Sequence, residues 1–386
     1  MTPGRPAGAL PLGGYYLLYF STVGVILPFL PPYFRSLDLS GAQIGVLLAL
    51  QPAMMLVAPP LWGHLADRTG RPDRVLAVVS FGALLGFVPV ALASGFWSLC
   101  AAMALYAFFV SSITTLVDSL TLHRVSVVGG SYSRIRMFGS LGFVLSSVTF
   151  GLAVTEVDRR TVFVAVGLMA AYAAWSLTLR AQSQPGPRRS VFSGLALLRN
   201  RDLALMLTAS ALHWIAGAPY HGIFGIHVVA LGLPPWVIGV SAGLGVVAEI
   251  VVMWLYPRFA ERLAPRHVLL VAFLSGVVRW AGMAVAESPW VIVSLQVLHG
   301  LTFGAFFVAA VAFGARRVPP SPRASGQALM VSVTFGLGGL VGYFAAGSAY
   351  EWLGGHRLFA VAAVLQLLPA LMVMGVGRPA REVASS

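Results

Sequence analysis

Twelve apolar runs, each about as long as a helix must be to cross a bilayer, constrain this chain more than any other feature. A spanning helix needs roughly 20 apolar residues. Runs near 12–34, 42–62, 74–94, 97–120, 136–155, 161–180, 203–229, 236–256, 267–286, 289–313, 325–348 and 356–376 meet that length. Apolar residues fill 58% of the 386 positions and charged residues 10%. A water-soluble core cannot enclose that much apolar surface, so the expected solvent is lipid. Hydrocarbon offers the backbone no hydrogen bonds, and runs of this length must then be helices. The first run lacks a small-residue cleavage site and reads as a retained helix rather than a signal. The lone cysteine, Cys100, lies inside an apolar run and reads as packing.

The formal net charge of +13 comes from 25 basic residues, all arginine, against 12 acidic ones. Such a balance suggests nucleic acid until its distribution is followed along the chain. Arg68, Arg71, Arg74, Arg124, Arg134, Arg188, Arg189, Arg199, Arg201, Arg258, Arg262, Arg266, Arg316, Arg317 and Arg323 fall in alternate gaps between runs. The opposite gaps hold mainly Arg35, Arg159, Arg160 and Arg357. Arginine-rich gaps stay in the cytoplasm, which predicts a multi-pass protein of the inner (plasma) membrane with both termini cytoplasmic. The charge sets topology; its partner is the lipid bilayer, and no nucleic-acid partner is expected. The one real linker spans 181–202, where Gln184-Pro185-Gly186-Pro187-Arg188-Arg189 is followed by an amphipathic 191–198 suited to the cytoplasmic surface.

A charged turn occurs twice. Gly63-His64-Leu65-Ala66-Asp67-Arg68-Thr69-Gly70-Arg71 follows the second run, and Pro257-Arg258-Phe259-Ala260-Glu261-Arg262-Leu263-Ala264-Pro265 follows the eighth, with an acid and an arginine in register. A turn repeated at the same place in two halves implies a duplicated membrane bundle. The first copy, G-x-L-A-D-R-x-G-R, resembles the signature loop of major facilitator superfamily transporters. That resemblance implies an all-α membrane protein of twelve transmembrane helices in two pseudo-symmetric six-helix bundles, at 1–180 and 203–386. Gly63, Asp67, Arg68, Gly70 and Arg71, with Glu261 and Arg262 of the second copy, would then brace the gate.

Five ionisable residues lie deep in the runs: Asp118, Arg136, Glu249, Arg279 and His299. Each costs about 3 kcal/mol on insertion scales and so needs a partner or a task. Two acids, two arginines and an imidazole nearly balance and come from both halves, so they are expected to meet at a central cavity. Asp118 facing Arg136 forms either a substrate-binding pair or an ion pair pinning two helices. Desolvated Glu249 and the imidazole His299 suit proton transfer. Tyr220 and His221, beside Pro219, are expected to line the pore; with no convergent ligand spacing there, no metal site is expected, and no cofactor is implied.

Longer segments narrow the resemblance. Tyr132-Ser133-Arg134-Ile135-Arg136-Met137-Phe138-Gly139-Ser140 is similar to a stretch of the lactose permease-like branch, whose carboxylate–arginine interval Asp118 and Arg136 match. Phe143 falls where that branch stacks an aromatic ring on its substrate, and Arg279 and His299 match its proton-coupling arginine and histidine. Thr302 replaces an expected carboxylate, and the acid of the eighth run is shifted to Glu249; an acidic pair on the seventh run and a lysine on the tenth are missing. Gly245-Val246-Val247-Ala248-Glu249, Gly276-Val277-Val278-Arg279-Trp280 and Leu298-His299-Gly300-Leu301-Thr302-Phe303 resemble the phenylpropionate permease group instead. The resemblance implies a secondary transporter, expected to be a monomer; with no nucleophile–base set or phosphate-cradling loop in the sequence, no enzymatic activity is expected. The transporter would move a small organic molecule, such as an aromatic carboxylate, with protons by alternating access. Asp118, Arg136, Phe143, Tyr220, His221 and Arg279 would bind substrate, and Glu249, His299 and Asp118 would couple it to protons. A sugar–proton symporter and a proton-driven drug or metabolite exporter are the alternatives.

Overall fold

A computed structural model describes residues 7–93, 95–180, 198–260, 263–317 and 323–376. Ten of its helices are long and apolar enough to cross a membrane. The last of these, Gly326–Met374, is two spans, because Gly354 takes φ 67° and breaks the helix there. Arg160–Ser176 is a shorter apolar helix. The twelve spans are α1 (Ala9–Ser36), α2 (Gly41–Thr69), α3 (Pro72–Ala91), α4 (Phe96–Val128), α5 (Tyr132–Ala153), α6 (Arg160–Ser176), α7 (Arg201–Gly222 and Phe224–Ala230), α8 (Trp236–Ala260), α9 (Pro265–Met283), α10 (Pro289–Arg317), α11 (323–353) and α12 (355–374). The expected six-plus-six arrangement is the one observed. The linker residues through 197, and Glu261 and Arg262 of the second charged turn, lie outside the described residues.

The surface is inverted relative to a soluble protein. Leu85, Leu141, Trp254, Val278 and Trp352 point outward, while Ser80, Thr121, Ser147, Ser210, Gln296 and Gln366 are buried between helices. Lipid tolerates the first set, and only helix neighbours can satisfy the second. Ser80, Thr121 and Ser210 each return a hydrogen bond to the carbonyl four residues earlier.

The turn Gly63–Arg71, expected from sequence to be a loop, is mostly helix: α2 runs on to Thr69, and only Gly70, at φ 62°, and Arg71, at φ −128° and ψ 62°, depart. The αL position suits glycine, and Pro72 then starts α3. Asp67 and Arg68 are exposed on this last turn. The ion pair here joins Arg71 to Asp73, through two contacts of 3.1 and 2.9 Å. Asp73 thereby holds the Arg71 guanidinium above its ordinary range. The helix persists through Gly63 to Thr69, whose Oγ1 donates to the Leu65 carbonyl.

The two halves touch at one end of the molecule and part towards the other. At the closed end, Arg35 bridges to Glu351 at 2.8 Å, and the same carboxylate oxygen accepts the Gly41 amide at 2.5 Å. Glycines let the backbones meet there: a side chain at Gly45 would lie 2.6 Å from the Tyr343 carbonyl, and one at Gly239 would collide with the Ser147 carbonyl. Towards mid-depth Gly336 faces Leu56, and Gly243 faces Val144 and Val148. At the end bearing Asp67, Leu61 and Leu65 are exposed, and the space around Gly63 is open for 4 Å.

Gly239→Val should therefore wedge α8 from α5 at the closed end. Spin labels on Ser36→Cys and Trp352→Cys, in a Cys100→Ser background, should move apart by several ångströms. An unchanged distance distribution would contradict the packing described.

Candidate functional site

Between the halves lies a cavity of about 290 Å³, walled by α1, α5, α7, α8, α10 and α11. Its charged lining residues are Arg136 from the N-terminal bundle and Glu249 from the C-terminal one. Phe20, Phe143, Phe303, Trp214 and Tyr220 supply aromatic walls, with His221 and His299 among them. An apolar cavity with a few convergent polar groups is the usual form of a small-molecule site.

Arg136 reaches the cavity because α5 begins at Tyr132 and packs tightly on α1. A Cβ at Gly142 would collide with the Leu17 carbonyl, so only glycine admits that approach. Gly139 clears the path of the guanidinium itself, since a side chain there would lie 2.7 Å from Arg136 Nη1 and 2.8 Å from the Phe20 ring. The guanidinium carbon stacks 4.0 Å above the centre of that ring, a geometry that stabilises a partly desolvated cation. Asp118 stands behind, with Oδ1 4.0 Å from Arg136 Nε, a loose pair by distance. The same oxygen accepts the Tyr16 hydroxyl at 2.5 Å. Asp118 thus backs Arg136 and is not among the residues lining the cavity.

Glu249 sits on α8 opposite. The neighbouring stretch of α10, Gly300–Ala305, is a π-helical turn, and π-turns inside α-helices frequently mark functional sites. Two glycines on it fit against α8: a side chain at Gly300 would lie 2.6 Å from the Ala248 carbonyl, and one at Gly304 3.3 Å from Glu249 Cγ. Sequence reading missed this turn, and also a second one at Ser332–Leu337. The glycine spacing was visible, but π-geometry depends on what packs against it.

Arg279 lies deeper, behind His299 and Tyr220, and is 1% exposed. Its donors are spent on Gln296 Oε1 at 2.5 and 3.2 Å, Thr302 Oγ1 at 2.9 Å and His299 Nδ1 at 3.0 Å. Its face rests on Tyr220 at 4.1 Å and Trp280 at 4.6 Å. Accepting at Nδ1 leaves His299 neutral, with its proton on Nε2. A second relay supports the first: Gln366 Nε2 donates to His213 Nδ1, and His213 Nε2 donates to the Thr302 carbonyl, both at 2.7 Å. Gln296, Thr302, His213 and Gln366 were not singled out as a set from sequence. Only their convergence on one arginine makes them one.

α7 breaks at Ile223, four residues beyond Pro219, and resumes at Phe224. Tyr220 and His221 line the cavity at this break. His221 stacks on Trp214 with ring centres 4.7 Å apart.

A family model described as the MFS_1 like family matches residues 10–361. The chain belongs to that family, within the major facilitator superfamily. It is 29% identical to the maltose permease of Geobacillus stearothermophilus over 378 residues, covering 95% of each chain. It is 30% identical to the probable 3-phenylpropionic acid transporter of Escherichia coli (strain K12) over 373 residues, covering 93% of this chain and 95% of the relative. A crystal structure of a variant of the nucleoside transporter NupG shares the fold, with TM-score 0.88, 20% identity, and coverage of 96% of this chain and 100% of that one.

This major facilitator superfamily protein is therefore a multi-pass membrane transporter and not an enzyme. Its site follows from two bundles that each contribute one cavity-lining charge. The buried guanidinium of Arg279 depends on Gln296 as its sole doubly engaged acceptor. Gln296→Leu should cost about 3 kcal/mol, read as a lowered thermal midpoint in detergent. A midpoint equal to wild type would mean that Thr302 and His299 suffice to hold Arg279.

Proposed function

We propose that this transporter moves an aromatic carboxylate together with a proton, by alternating access of a site between residues 1–180 and 203–386. The observation that carries the reading is the pair of cavity-lining charges, Arg136 and Glu249, facing one aromatic chamber from opposite halves. Counted with the residues behind them, Arg136 and Arg279 balance Asp118 and Glu249. A carboxylate cargo adds one negative charge in a low-dielectric chamber, where an unbalanced charge is expensive. A proton on Glu249 restores the balance, so cargo and proton enter together. Arg136 holds the carboxylate in a fork, and Phe20 and Phe143 face the ring.

His299 has its Nδ1 lone pair engaged by Arg279. Protonation at that atom would require breaking the bond, so Glu249 carries the proton and His299 offers its Nε2–H to the cargo. Asp118 acts through Arg136, holding the guanidinium over Phe20. The name of the phenylpropionic acid relative points to the same cargo class.

Positive-inside topology puts both termini in the cytoplasm of a plasma-membrane protein. The closed end with Arg35 and Glu351 then faces outward, and the splayed end with Asp67 faces inward. In the outward-open state Asp67 and Arg68 would brace the cytoplasmic gate, and parting of Arg35 from Glu351 would release the opposite one.

The test is transport by purified protein in liposomes with an imposed pH gradient. Uptake of 3-phenylpropionate should acidify the lumen, roughly one proton for each molecule. Glu249→Gln should abolish accumulation driven by the gradient while sparing exchange of labelled for unlabelled cargo. Uptake by Glu249→Gln that still follows the gradient would remove Glu249 from the proton path, and cargo moving against proton flow would make the protein an exporter.

A further inference from the structure

A second chamber, of about 140 Å³, opens beside the main cavity between α1, α2, α4, α7 and α11. The two chambers share four lining residues, Leu27, Trp214, His221 and Tyr343. The stacked Trp214–His221 pair and Tyr343 thus form a doorway between them. Chemically the chambers differ. The main one presents a guanidinium and a carboxylate; the side one has no charged lining residue. It is lined further by Leu48, Met55, Met103 and Phe335, with Gln51 and Tyr106 as polar side chains.

We propose that this side chamber is a second subsite, which takes an apolar extension of the cargo whose carboxylate is held at Arg136. The inference rests on the carboxylate reading above and sharpens it, because it makes the preferred cargo longer than a single-ring acid. The main chamber already accommodates a ring and a short acid chain. Apolar cavities of about 150 Å³ accept a benzene-sized guest and otherwise stay poorly hydrated. A butyl to hexyl chain, or a second ring, fits that volume. Thioethers suit such a role, since two methionines on different helices adapt to an irregular guest better than branched side chains do. The polar edges of His221 and Tyr343 lie at the doorway, where an ether or amide link between the two parts of the cargo would be met.

Nothing in the main chamber's wall includes Leu48, Met55, Met103 or Phe335. Leu48 is half-buried and lies against the α7 break, 3.2 Å from where a side chain at Gly222 would begin. Leu48 lines the side chamber and not the main one, so a change there leaves Arg136, Glu249, Phe20 and Phe143 in place.

The experiment is calorimetric titration of the full-length protein in detergent with 3-phenylpropionate and its 4-ethyl, 4-butyl, 4-hexyl and 4-decyl derivatives. Wild type should bind about fourfold more tightly for each added methylene until the chamber is full near hexyl, and then no more tightly. Leu48→Trp should bind the parent acid as wild type does and lose the gain with chain length. Leu48→Ala should move the plateau to longer chains, which a merely misfolded variant could not do. If the parent binds but the series is flat, or if both variants follow wild type, the subsite is wrong while the carboxylate reading stands. If no member of the series binds, the carboxylate reading falls and the subsite falls with it.

Discussion

Arg279 is a permanent charge at membrane depth whose contacts are all with neutral groups. Its hydrogen-bond donors cannot be left to hydrocarbon, and Gln296, Thr302 and His299 take four of the five. The Tyr220 and Trp280 rings cover its face. Each of those partners is then fixed by its own duty. Gln296 Nε2 donates to the Ile292 carbonyl at 2.7 Å, and Thr302's carbonyl takes the proton of His213. The order of α7, α9, α10 and α12 around this point follows from one requirement: a buried cation needs acceptors from several helices at once.

The N-terminal half solves a similar problem differently. Arg136 is not sequestered; it lies on Phe20 with Asp118 at its back, and its outer edge faces the cavity. Glycines decide which arginine is reachable. Gly139 and Gly142 bring α5 onto α1 and leave the guanidinium room to turn inward. Around Arg279 the space is filled by Trp280 and Tyr220 instead. One arginine faces the cavity, and the other is sequestered behind residues that line it.

The same economy governs the moving parts. Close glycine contacts and the Arg35–Glu351 bridge hold one end shut. Such contacts are cheap to break because the bridge is half-exposed, and pairs of that kind are worth about 0–1 kcal/mol. A stronger latch would trap one state, whereas the alternating access proposed above needs two states within a few kcal/mol of each other.

Most of the architecture was legible from the chain. Twelve apolar runs, arginines in alternate gaps and a charged turn repeated after the second and eighth runs were enough for the bundle count, because lipid leaves a run of about 20 residues one secondary structure. The ionisable residues within the runs could be picked out on cost alone, and Arg136 and Glu249 indeed meet at one cavity. What the linear order could not carry was which of the five faces that cavity. Asp118 and Arg279 were equal candidates by sequence, yet one lies behind Arg136 and the other behind His299. Facing is set by the rotation of each helix against its neighbours, and those rotations come from small-residue contacts tens or hundreds of positions apart. The π-turn beside Glu249, the Gln296–His213–Gln366 support and the side chamber behind Trp214 have the same origin. Composition and periodicity determined that this protein crosses the membrane and where its charges are costly; only the packing of the two bundles decided which of those charges face the central cavity.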